Sequence, residues 1–294
     1  MAGLGFSQVF NNSLQSKDII SLLKIKSVKI MNPLSDTMCE LRTSLFPGLL
    51  ENIDFNYKNN NPDIMIFEWG NIYKQNKPGL KGIQEKLFIS GVVHGYLNKP
   101  TVHRKKGRRF NFNVLKGSVK NLMDRLSIKN LTFNHSKNKA DGLINCFEIQ
   151  SNNHQLGFIG KVDPIFSDKM HLDINEVFGF QLDLDLLMEL ANKTPLFNSI
   201  VSYPLVERDL NFVLDENILI GKLISTVKEN GKDILKSADP INIFRHNSLG
   251  DNKKSVTINL VFQSSTKTLE DKDVNHVIDE IIRVISNEYG AKLR

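Results

Sequence analysis

The chain has 294 residues, 40% of them hydrophobic, which suggests two domains with real cores and excludes a disordered composition. No apolar run reaches about 18 residues, and no basic segment followed by an apolar run opens the chain, so neither a membrane span nor a signal peptide is expected. The formal net charge of +6 is uneven: residues 198–294 carry 13 Lys+Arg against 14 Asp+Glu, and the first 197 residues carry 25 against 18.

The opening stretch, MAGLGFSQVFNN, enters a strand-like segment without a helix cap, as a piece cut from a longer protein with an added Met1 would. DIISLLK (18–24) is a short amphipathic helix and VKIMN (28–32) a strand. Asn32-Pro33 marks a turn. Thr43 or Ser44 can cap a helix with Pro47 in its first turn, where a missing N–H costs little. Leu45, Leu49, Ile53 and Tyr57 recur every four residues, and Leu41, Phe46 and Leu50 widen the stripe. One reading of this stripe is an ordinary helix on its own core; the other is an interface helix, because a stripe this wide exceeds what one core usually needs and part of it would then be exposed when a partner is absent.

DIMIFEWGNIY (63–73) reads as a strand or hairpin and LFISGVVHGY (87–96) as a buried strand. The densest positive run, KPTVHRKKGRRF (99–110), reads as a solvated loop that can also supply phosphate contacts. A helix follows from near Asn113, with Val114, Val119, Leu122 and Leu126 on its stripe. INCFEIQSNNHQLGFIGKV (144–162) has a turn-rich centre between two strand-like runs and reads as a hairpin. One more strand and a short helix fill 177–193, and 194–198 reads as a linker.

Beyond it, DLNFVL (209–214) is a strand, Asp215 to Asn217 offer caps, and Leu219, Leu223, Ile224 and Val227 mark a helix closed by Gly231. DPINIFR (239–245) and KSVTINLVFQS (254–264) are strands, the second with strict alternation of Val256, Ile258, Leu260 and Phe262. A helix from about Asp271 to Glu288 and a last strand in 291–294 complete a β-α-β-β-α-β order, the ferredoxin-like pattern.

Chemical motifs are scarce. Cys39 and Cys146 make no disulfide framework, and a reduced, cytoplasmic setting is expected. Seven scattered His show no ligand spacing, and there is no P-loop and no G-x-S-x-G elbow, so no metal site and no catalytic residue is assigned. Carboxylate pairs such as Asp183/Asp185 read as strand-end and helix-start charges.

SYPLVERDLNFVLDE, then FR, then KKSVTINLVFQSSTKTLEDKDVN, then GAKLR, in that order, resemble the C-terminal anticodon-binding domain of bacterial phenylalanine–tRNA ligase β chains. The first part resembles the catalytic-like module of the same chains. NPLS with the following LRTSLFPGLL, the segment FEWG, FNFNVLKG and GFIGKVDP carry that likeness, the last with Asp163 where the family commonly has His.

The resemblance implies an α+β chain: a class II aminoacyl-tRNA ligase-like antiparallel sheet module over 1–197, then a ferredoxin-like βαββαβ domain over 198–294. It implies a part of the β subunit that supports assembly with an α subunit and binds the anticodon region of tRNA(Phe), in a heterotetramer of two α and two β chains. Leu45, Leu49, Ile53 and Tyr57 would face the partner subunit. Phe244 would stack on an anticodon base, beside Asn242, Arg245 and Ser255, and the Arg208-Asp209 pair would be a structural anchor. No cofactor is expected on this chain, and ATP and Mg2+ are implied for the whole enzyme. The class II arginine of an F-R-x-E strand motif is missing, so Arg42 and Glu68 read as structural and no aminoacyl-adenylate is expected from this chain alone. Two other readings stay open: an independently active ligase with an unfamiliar site, and a free-standing ferredoxin-like module for a small ligand or RNA.

Overall fold

The computed structural model describes residues 1–136, 142–172, 174–191 and 200–294, and the chain divides into two compact units, Met1–Pro195 and Leu196–Arg294. The linker expected at 194–198 lies outside the described residues.

The first unit runs β1 (Ser7–Gln8), β2 (Leu14–Gln15), α1 (Lys17–Leu23), β3 (Glu40–Leu41), α2 (Phe46–Lys58), β4 (Ile64–Gln75), β5 (Ile83–His94), β6 (Tyr96–Asn98), β7 (Arg108–Arg109), α3 (Phe112–Arg125), β8 (Leu131–His135), β9 (Leu143–Ser151), β10 (His154–Val162), α4 (Pro164–Lys169), β11 (Phe178–Asp183) and α5 (Leu184–Leu190). Seven of the strands form one sheet in the order β1-β4-β5-β11-β10-β9-β8, antiparallel except for the short parallel β1–β4 pair. Two apolar clusters pack on it. One gathers α2 with Ile64, Ile66, Ile72 and Val92; the other gathers α3 with Phe67, Val93, Phe180 and Leu182. The alternation of the strands therefore feeds both faces, and helices cover each of them.

Residues 64–75 form one long strand, with the chain turning back only at 76–82. The segment 28–32 is not a sheet strand: Lys29 makes a lone bridge to Glu40, and Met31 is almost fully exposed. The helix expected to begin near Asn113 begins at Phe112, because the Asn111 carboxamide accepts the Val114 N–H and caps it. The β9–β10 hairpin turns on Asn152 and Asn153, both in the left-handed region that asparagine tolerates.

The second unit runs β12 (Val206–Asp215), α6 (Ile220–Asn230), β13 (Leu235–Phe244), β14 (Lys253–Phe262), α7 (Asp271–Tyr289) and β15 (Lys292–Leu293). Its sheet has the order β13-β14-β12-β15, all antiparallel, as the ferredoxin-like pattern requires. One face of β12 and β14 supplies Phe212, Leu214, Val256, Ile258, Leu260 and Phe262 to a core closed by Leu223 and Val227 of α6 and the Val274–Ile285 stripe of α7. A capping box of Glu270 and Asp273 starts α7, and Gly290 ends it in the left-handed conformation.

Candidate nucleic-acid interface

The face of the second sheet opposite its core is polar and largely satisfied from within. Cross-strand register puts Asp209 opposite Asn259, and Asn211 and Val213 beside Thr257 and Ser255. Asn259 donates to Asp209 at 2.8 Å, and the Ser255 hydroxyl donates to the Asn211 carboxamide oxygen at 2.5 Å. β13 forms the edge of this sheet. A register shift between Pro240 and Asn242 re-aims its last residues, so that Asn242 lies across from Thr257 and Phe244 across from Ser255. Ala238 is the last buried residue of the strand, and everything from Asp239 to Phe244 is exposed.

Phe244 is 46% exposed and its ring stacks on His246, with centroids 5.9 Å apart and planes 15° from parallel. The His246 ring is held in turn, because its Nδ1 accepts the Ser248 N–H at 3.1 Å. The result is a two-ring aromatic platform at a sheet edge, with one large apolar surface in water. Such surfaces are what unstacked nucleic-acid bases stack on.

The four residues expected around a base are not alike. Asn242 and Phe244 are exposed on the open face. Arg245 is exposed but engaged: its Nε and Nη2 donate to both Glu216 carboxylate oxygens at 2.8–3.1 Å. That bond holds Glu216 below its ordinary carboxylate range and raises Arg245. The expectation for Ser255 is corrected. Its side chain is buried, 3% exposed, and its hydroxyl proton is given to Asn211, so it offers no free edge to a ligand. The resemblance placed Ser255 beside Phe244 but carried no information on the strands flanking it. His246 was missed; an aromatic two residues after Phe244 in a turn was the only signal. Arg208 anchors β12 to α7 through Asp271 at 2.7 Å.

In the first unit, the expectation of a partner-facing stripe is corrected for three of its four residues. Leu45, Leu49 and Ile53 are 1%, 0% and 0% exposed, packed with Ile64, Ile66, Val92 and Phe166 inside their own core. The stripe is wide because α2 lies flat on a sheet and needs a wide contact. Tyr57 remains 43% exposed, and Phe55, which periodicity assigned to no interface, is 68% exposed. The helix starts at Phe46 with Leu45 in the cap position; Ser44 contributes by accepting the Phe46 N–H, while the Thr43 hydroxyl finds no partner among the described residues.

Arg42, the only buried arginine among the described residues, is held at two of its nitrogens: Nη1 donates to Glu68 at 2.6 Å and Nε to the Asn71 carbonyl at 2.9 Å. Among the described residues no group of three His, Cys, Asp or Glu is placed to hold a metal ion. Among the described residues no helix is long and apolar enough to cross a membrane.

The geometry gives an α+β chain, with a large helix-flanked antiparallel sheet in one unit and a ferredoxin-like sheet with an exposed aromatic edge in the other; comparison with known proteins adds the class, that of the aminoacyl-tRNA synthetases. Residues 1–184 match the family model described as the phenylalanyl tRNA synthetase beta chain CLM domain, and residues 201–294 match the ferredoxin-fold anticodon binding domain. The chain belongs to the phenylalanyl tRNA synthetase beta chain family. Similar curated proteins are the phenylalanine–tRNA ligase beta subunits of Carboxydothermus hydrogenoformans and Thermotoga maritima, each 28% identical over all of this chain and 37% of the relative. That of Staphylococcus aureus strain COL is 30% identical over all of this chain and 36% of its own length. The chain thus spans just over a third of these relatives. Among solved structures, the pyrrolysyl-tRNA synthetase of Desulfitobacterium hafniense has a TM-score of 0.47 at 16% identity, over 64% of this chain and 63% of that one.

Proposed function

We propose that this chain is the C-terminal part of the β subunit of a phenylalanine–tRNA ligase, where its second unit holds the anticodon region of tRNA(Phe) and its first unit supports assembly with an α subunit. Catalysis, with ATP and Mg2+, would belong to the α subunit in a cytoplasmic heterotetramer of two α and two β chains. The observation that supports the reading most is the half-exposed Phe244 ring on the open sheet face, backed by His246. The neutral balance of this unit, 13 Lys+Arg against 14 Asp+Glu over 198–294, leaves stacking and local contacts to carry RNA affinity. For the first unit, the support is the exposed pair Phe55 and Tyr57 at the end of α2, which an assembled partner would cover.

Stacking on an aromatic contributes roughly 1–3 kcal/mol per base. Phe244→Ala in the full protein should therefore weaken tRNA(Phe) binding about ten-fold or more. The salt dependence should stay the same, since no phosphate contact is lost. The melting temperature should change little, because the ring is half in water. A large fall in melting temperature with unchanged affinity per folded molecule would remove Phe244 from the RNA site.

A further inference from the structure

The first unit carries a second feature with the chemistry of nucleic-acid binding, far in sequence from the anticodon-type face. The hairpin β6–β7 and its loop, residues 96–109, hold six Lys or Arg and no carboxylate. Its root is fixed. Phe110 is buried in the core and its N–H donates to the Gly95 carbonyl at 3.0 Å, while the Tyr96 N–H donates to Asp63 at 2.6 Å. Lys99 pairs with the other oxygen of Asp63 at 2.8 Å, and the Arg109 guanidinium lies 4.4 Å over the Tyr96 ring. At the tip, Thr101 and Arg104 exchange backbone hydrogen bonds at 2.8 and 3.1 Å. A Cβ on Gly107 would sit 2.7 Å from Pro100 and 2.9 Å from Tyr96, so the two arms close tightly there.

Two cations thus hold the hairpin together, and four remain: Arg104, Lys105, Lys106 and Arg108 are exposed, and none pairs with a carboxylate among the described residues. Four like charges on a fixed, short hairpin repel one another, and an anionic partner relieves that repulsion. We infer that this hairpin is an RNA backbone clamp, in which Arg104, Lys105, Lys106 and Arg108 contact phosphates of a structured RNA without reading its sequence. A membrane surface fits less well, because the loop has a single large exposed apolar residue, Val102, and no apolar face to enter lipid. That the RNA is tRNA rests on the function proposed above; the phosphate chemistry does not.

The test uses the full protein in its native assembly and a variant with Arg104→Gln, Lys105→Gln, Lys106→Gln and Arg108→Gln. Binding is measured across a salt series to tRNA(Phe), to its isolated anticodon stem-loop, to an unrelated RNA duplex and to phosphatidylserine vesicles. Each lost phosphate contact lowers the log–log salt slope by roughly 0.7–0.9, so four lower it by about 3. The wild-type advantage for tRNA and duplex should then shrink roughly fifty-fold between about 50 and 200 mM salt. The anticodon stem-loop should bind both proteins alike, and the melting temperature should not fall, since all four side chains are in solvent and their mutual repulsion is removed. Arg104→Lys with Arg108→Lys should keep the slope. Unchanged slopes for tRNA and duplex would overturn the clamp, as would a loss confined to vesicles. If the duplex loses affinity while the anticodon stem-loop binds neither protein, the clamp stands and the anticodon reading falls.

Discussion

Glu68→Gln tests whether the buried charge pair of the first unit is a structural lock. Arg42 is 5% exposed and Glu68 2%, so neither charge can turn to water. Both Glu68 oxygens accept: Oε1 takes Arg42 Nη1 at 2.6 Å and the Asn11 N–H at 3.3 Å, and Oε2 takes Asn11 Nδ2 at 2.7 Å. Glutamine keeps the shape but replaces one oxygen by a donor. Whichever way its amide is turned, a donor faces either Arg42 or Asn11, and Arg42 is left as an uncompensated buried charge. Breaking a buried pair in this way costs about 3–5 kcal/mol. Replacing both partners by apolar residues, Arg42→Met with Glu68→Leu, should cost much less than the sum of the single changes, giving a coupling of roughly 2 kcal/mol or more. Trp69, the single tryptophan, is the next residue on β4 and reports unfolding of this unit in a urea titration. The midpoint should fall with an unchanged slope. A Glu68→Gln loss under about 1 kcal/mol, the range of an exposed pair, would refute the lock.

Leu49→Ala should destabilise the same unit by about 2–5 kcal/mol, since the side chain is wholly buried, whereas Phe55→Ala should leave stability nearly unchanged and weaken association with the partner subunit; chemical denaturation and co-purification separate the two effects. Gly157→Ala should loosen the β10–β11 pair, because its Cβ would lie 2.0 Å from the Gln181 carbonyl oxygen at a φ of +154°; amide hydrogen exchange on β11 reads this directly. Burial pushes the Asp63 carboxyl up, but the Lys99 ammonium and the Tyr96 N–H outweigh it and hold it below its ordinary value of 3.8. A lowered carboxyl stabilises the fold above its unfolded pKa and loses that contribution as pH falls through the folded value. Asp63→Asn should therefore flatten the fall of melting temperature between neutral pH and about pH 2.

Much of the architecture was legible in the residues alone, because it rests on local periodicity. The alternation from Val256 to Phe262, the α7 stripe from Val274 to Ile285 and the left-handed Gly290 each declare an element regardless of what packs on it. Six such elements in order imply the ferredoxin-like sheet. What periodicity cannot tell is which neighbour fills an apolar stripe. Leu45, Leu49 and Ile53 have the spacing of an interface, but the sheet beneath α2 already occupies them, while Phe55, off the stripe, meets water. Nor does alternation report on polar partners from distant strands. Ser255 is taken by Asn211, 44 residues away, and Arg245 by Glu216, 29 residues away. The exposure of Phe244 depends on the β13 register shift and on the place of β13 at the sheet edge, and the four free cations of the hairpin depend on which carboxylates the fold brings within reach. Sequence sets the pattern of each element because backbone geometry is local; the tertiary structure decides which surface is left over, because burial is a property of pairs of elements.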